Sequence, residues 1–137
     1  MAAYELAASA ARTTDGTGTA TLIGGYVKRV LLVLDVTASA TAADDVLNVF
    51  VDVSPDGSKW LNAVHFATQA GNGAAKTEFA VLDPTNPGTA TVVATSDVAS
   101  GVVRPGAFGK YMRARWTMVD AGGGDTSHTF RVRAYCQ

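Results

Sequence analysis

Cysteine is almost missing from this chain. Its single copy, Cys136, lies one position from the end, so no disulfide can form within the chain and a disulfide-stapled secreted scaffold is excluded. Charge is scarce as well, with 17% charged residues against 47% hydrophobic ones, which excludes a disordered polar tail. Ala, Thr, Ser and Gly must then cover much of the surface, a composition that suits assembly. The formal net charge of -1 supplies no overall attraction to nucleic acid or to anionic lipid. No apolar run approaches the ~20 residues of a membrane span, and the opening Met1-Ala-Ala-Tyr-Glu-Leu6 has neither the basic start nor the apolar stretch of a secretory signal. A soluble protein, made in a reducing cytoplasm, is the expectation.

Catalytic and metal-binding patterns are equally thin. Two histidines, His65 and His128, and one cysteine give no zinc-type spacing, and a structural role for both histidines is expected. There is no G-x-S-x-G elbow and no phosphate-binding glycine loop; Gly16-Thr-Gly18 fails because Thr21 stands where the third glycine belongs. Asp44-Asp45 reads as a solvated polar loop with too few oxygen ligands for calcium. The expectation is a non-enzyme with no catalytic residues, no metal and no cofactor.

What is present is strand patterning. Leu47, Val49, Val51 and Val53 alternate with Asn48, Phe50 and Asp52, the period of a half-buried strand, and Val30-Leu-Leu-Val-Leu34 is apolar on both faces, as in a buried central strand. Ser54-Pro-Asp-Gly57 reverses the chain into Trp60, with Pro at the second turn position and Gly where a positive φ is needed. Further strands are expected over 60–67, 77–82 and 89–94. Gly109–Val119 and Ser127–Tyr135 alternate around a glycine-rich loop and read as a C-terminal hairpin. About eight short strands predict an all-β, single-domain antiparallel β-sandwich, jelly-roll-like, over residues 19–137, with residues 1–18 an extended N-terminal arm. The stretch 83–107, holding three of the four prolines, reads as a long contact excursion.

In that C-terminal hairpin Met112, Ala114, Trp116 and Met118 face the core and meet Phe130, Val132 and Ala134 across the pair. Tyr111, Arg113, Arg115, Arg131, Arg133 and Tyr135 then share the opposite face, gathering four of the seven arginines. Three readings fit such a face: a ladder neutralised by Asp35 and Asp52, a docking surface for a protein partner or sister subunit, and a nucleic-acid surface, which the two aspartates disfavour. With Tyr4, Leu6 and Arg12 of the arm, these six residues form the candidate protein interface.

The run Gly25-Tyr-Val-Lys-Arg-Val-Leu-Leu-Val-Leu-Asp-Val36, the turn Ser54-Pro-Asp-Gly-Ser-Lys-Trp60, Phe108-Gly-Lys-Tyr-Met-Arg-Ala-Arg-Trp116 and the terminal Phe130-Arg-Val-Arg-Ala134 resemble tailed-bacteriophage capsid decoration or cement proteins. The resemblance covers most of the chain. It implies a β-sandwich or jelly roll with an arm, sister subunits in a homotrimer, and the major capsid protein as partner. The site would be the virion's capsid surface, reached from the host bacterial cytoplasm, with no nucleic-acid or membrane partner; a neck, tail or fibre component would be a variant of the same reading. The Ser-x-Asp-Gly-x-x-Trp turn and Gly109-Lys-Tyr-Met-Arg113 are also similar to discoidin-like carbohydrate-binding modules. That alternative implies a glycan ligand and tryptophan stacking, although Trp116 reads as core and Trp60 as packed behind its turn.

Overall fold

A computed structural model describes residues 1–24, 26–86, 96–121 and 123–137. Among them are ten strands and no helix: β1 (Ala2–Arg12), β2 (Gly16–Thr17), β3 (Thr21–Leu22), β4 (Val30–Ala38), β5 (Val46–Ser54), β6 (Leu61–His65), β7 (Lys76–Leu82), β8 (Val102–Val103), β9 (Tyr111–Val119) and β10 (His128–Cys136). They form two antiparallel sheets. Sheet A has the order β1-β10-β4-β7. Sheet B has the order β2-β9-β5-β6-β8, with β3 also on β9. The β-sandwich expected from alternation is present, with ten strands rather than eight. The strand expected over 89–94 lies outside the described residues.

The core is the set of inward positions of both sheets. Leu32, Leu34, Val36, Phe130, Val132 and Ala134 face Leu47, Val49, Val51, Met112 and Ala114 across the sandwich, all buried. The turn after β5 is built as its residues require: Ser54 Oγ accepts from the Gly57 N–H at 2.9 Å, Asp56 Oδ1 accepts from Ser58 and Lys59 N–H at 2.8 Å each, and Gly57 has φ 78°. Those two backbone donors hold the Asp56 carboxyl below its ordinary range.

Two expectations about strand pairing need correction. First, β9 and β10 are not a hairpin: β9 pairs with β5, β2 and β3 in sheet B, whereas β10 pairs with β1 and β4 in sheet A. Their inward residues do meet, but across the core, as where the Trp116 and Phe130 rings sit edge to face at 5.5 Å. Eight loop residues between two alternating strands are compatible with a crossing as well as with a hairpin, and local pattern does not distinguish them.

Second, residues 1–18 are extended but docked. β1 pairs antiparallel with β10 from Ala2↔Cys136 to Arg12↔His128, and Gly16–Thr17 pairs with Trp116–Arg115. Leu6 and Ala7 are in the core. Arg12 lies over both the Trp116 and Phe130 rings, 4.6 and 4.4 Å from their centroids, and donates to the carbonyls of Phe130 and Ala8. Burial draws its pKa down. An alanine-rich strand gives a weak hydrophobic pattern, because Ala2, Ala3, Ala8, Ala10 and Ala11 serve outward positions as readily as inward ones.

Asp45 is not solvated. It is fully buried, its Oδ1 accepts the Ala121 N–H at 2.8 Å, and its carbonyl lies 3.2 Å from His128 Nε2. Burial lowers the pKa of His128, outweighing the opposing pull of Asp45 and Asp125. The folded chain therefore takes up this proton less readily than the unfolded one. The contribution to stability is complete above the unfolded value near 6.5, and it is lost as pH falls from there through the folded pKa. Urea titrations should show stability declining from pH 7 to pH 5 by up to about 1.4 kcal/mol per pH unit. In His128→Gln that slope should flatten.

Candidate interaction surface

Strand register decides where the charges go. On the outer face of sheet B, Asp52 of β5 stands opposite Arg113 of β9 and opposite Asn62 of β6, and Phe50 stands opposite Arg115 and His65. Asp52 is 3% exposed. Its carboxylate accepts from Arg113 Nε at 3.2 Å, Arg115 Nε at 3.1 Å and Asn62 Nδ2 at 3.1 Å. Arg115 continues to Asp97 at 2.6 Å. Burial acts against its charge, but the hydrogen bonds to Asp52 and Asp97 outweigh that and its pKa is raised.

This face is covered by the chain itself. The Val98 N–H donates to Asn62 Oδ1 and the Val98 carbonyl lies 3.0 Å from His65 Nδ1, while Arg104 donates to the Asn62 and Ser96 carbonyls. The described part of the 83–107 excursion thus straps across β6, leaving Phe50 only 5% exposed beneath Arg115 and His65. Trp60 reaches an arginine of β9. Its ring lies under the Arg113 guanidinium, 4.1 Å from centroid to Cζ, at the rim of a cleft.

The outer face of sheet A carries the other two arginines. Asp35 of β4 is opposite Arg131 of β10 on one side and Thr77 of β7 on the other. The Thr77 hydroxyl at 2.7 Å and Arg131 Nε at 2.8 Å hold its carboxyl below the usual carboxylate range. Arg133 is opposite Glu5 of β1, at 4.0 Å, and a hydrogen bond with Tyr135 favours its charged form. No strap crosses this sheet among the described residues.

Beside these charges the face carries a group of apolar side chains. The pairings place Phe79, Val33 and Arg133 in one row, and Val81, Leu31 and Tyr135 in the next. Phe79 is 66% exposed and Val81 44%, with Leu31 and Val33 half-buried beside them. Val30–Leu34 is thus buried on its inner face only, because nothing among the described residues covers the outer one. Opposite charges on this face neutralise each other locally, so the open apolar rows have no charged rim of one sign.

The candidate interface residues are consequently dispersed. Leu6 is core, Tyr4 packs against the core and Arg12 caps it. Tyr111, Arg113 and Arg115 belong to sheet B, and Arg131, Arg133 and Tyr135 to sheet A. The reading with Asp35 and Asp52 as internal partners describes their immediate contacts, but in two separate clusters. Phe79, Val81 and Asp97 did not emerge from sequence. In Lys76–Leu82 both alternating sets are partly apolar, so periodicity does not say which faces water, and Asp97 carries no local signal.

No protein-family model matches the chain, and no curated protein matches its sequence.

Proposed function

We propose that the chain is a structural virion protein of a tailed bacteriophage, a decoration or cement protein that binds the outer shell and stabilises it. The observation that supports this most is the outer face of sheet A, where Phe79 and Val81 stand in open rows with Leu31, Val33 and Tyr135. Single exposed apolar side chains are ordinary; contiguous ones on a rigid sheet are a feature of protein interfaces. The low-charge composition and the resemblance in strand and turn motifs point the same way. The partner on this reading is the major capsid protein, with sister subunits as a homotrimer on the capsid surface. A sandwich supplies a rigid body, so modest contacts repeated by symmetry suffice to reinforce a shell.

The test is sedimentation of purified shells lacking the protein after its addition. Wild-type chain should co-sediment to a fixed copy number per shell. Phe79→Asp/Val81→Asp, which alters only exposed positions, should fold normally and lose most of that binding. Shells that take up neither chain, or both equally, would refute the proposal. Mass measurement in solution tests the trimer.

A further inference from the structure

All eleven lysines and arginines and all twelve aspartates and glutamates lie among the described residues, so the fold places every charged side chain. Outside the two sheet faces they are divided by pole. The strands run between two ends of the sandwich: at one, β1, β4 and β9 finish and β5, β7 and β10 begin, and at the other the reverse holds.

The loops of the first end carry Asp15, Asp44, Asp120 and Asp125, all exposed and none within ion-pair distance of a cation among the described residues. Backbone contacts gather these loops: the Met118 N–H donates to Asp15, the Ala121 N–H to Asp45 and the Thr41 N–H to the Asp125 carbonyl. The nearest cations are engaged elsewhere. Arg12 donates to the Ala8 and Phe130 carbonyls, and Lys76 donates to the Ala67 carbonyl and pairs with Glu78.

The opposite end carries Lys28, Lys59 and Lys110, exposed and also outside ion-pair distance of any carboxylate among the described residues. The Ile23 N–H donates to the Lys110 carbonyl and the Lys28 N–H to that of Gln137, while the Lys110 ammonium and the 54–59 turn both approach the Tyr111 ring. Asp83 is paired with Arg29, and Asp56 accepts from two N–H groups of its own turn. Four cations against those two aspartates leave +2 at this end, facing -4 at the other. Each end also exposes apolar side chains, Val119 at the first and Leu22 and Tyr26 at the second.

Complementary patches at opposite poles of one chain fit a second copy of that chain. A symmetric contact between equal ends would set like charges together, so only the heterologous contact is favoured. Because the two poles lie at opposite ends of the strand axis, each contact adds a copy along a line instead of closing a small ring. We propose that copies of this chain associate end to end, with the Asp15, Asp44, Asp120 and Asp125 end of one copy seated on the Lys28, Lys59 and Lys110 end of the next. The outer face of sheet A runs parallel to that axis and stays open, so this contact does not depend on the shell reading.

Light scattering on the full chain tests it at about 0.01 M and about 1 M salt, between which the Debye length falls from ~30 to ~3 Å. At low salt the mean mass should climb with protein concentration past that of a trimer, and at high salt it should return to the monomer. Two charge-swap variants carry the proof. Lys28→Glu/Lys59→Glu/Lys110→Glu makes both ends acidic, and Asp44→Lys/Asp120→Lys/Asp125→Lys makes both ends basic, so each alone should associate at least tenfold more weakly. Mixed in equal amounts, they should regain the wild-type mass, because every end again meets its opposite. Urea midpoints close to wild type show that both variants fold. The proposal is overturned if the wild-type mass does not rise at low salt or stops at a trimer, if either variant alone associates as the wild type does, or if the folded variants fail to restore association when mixed.

Discussion

Deleting residues 1–12 is expected to lower the unfolding free energy by about 4 kcal/mol or more, a large part of the ~5–15 kcal/mol that holds a domain of this kind. β1 contributes Leu6, 2% exposed, to the core and pairs along nearly the whole of β10. Its loss would uncover Leu6's neighbours, remove Arg12 from the Trp116 and Phe130 rings, and turn β10 from an internal strand into an edge. Leu6→Ala alone should cost about 2–5 kcal/mol through lost burial and the cavity left behind. Urea unfolding of the truncated, Leu6→Ala and intact chains checks both values. An unchanged midpoint after deletion would mean that the segment behaves as a free arm despite its pairing.

The second large effect is expected at Asp52. Replacing it by Ala leaves Arg113 and Arg115 partly buried without their shared carboxylate, and removing one member of such a buried cluster costs about 3–5 kcal/mol. Asp35→Ala supplies the contrast. Its side chain is 19% exposed and that of its partner Arg131 36%, against 4% for Asp52, so water screens this pair and the loss should stay within about 1 kcal/mol. Comparing the two urea midpoints separates a buried ionic cluster from a surface pair that looks the same in sequence. Equal effects would show that the strap over sheet B does not exclude water from Asp52.

Strand identity was readable from residues alone wherever one face is apolar and the other polar. Met112-Arg-Ala-Arg-Trp116 and Phe130-Arg-Val-Arg-Ala134 fix their buried sides by period two, and Ser54-Pro-Asp-Gly57 fixes its turn through glycine's access to positive φ. The charged partners of the arginines, Asp35 and Asp52, were also legible, because both stand on outward positions of neighbouring strands. The alanine-rich β1 was not, since alanine has too little side chain to declare a face.

What only the tertiary structure decided is which sheet each strand joins. Alternation specifies a face but not a neighbour: β9 and β10 have the same pattern, and either pairing would bury Trp116 and Phe130. The choice comes from non-local contacts, from β1 and β4 flanking β10 and from β5 flanking β9, with partners up to more than a hundred residues away in the chain. That choice splits the four arginines between two faces. One becomes a strapped ionic cleft beside Trp60, and the other a sheet face whose apolar side chains are uncovered among the described residues.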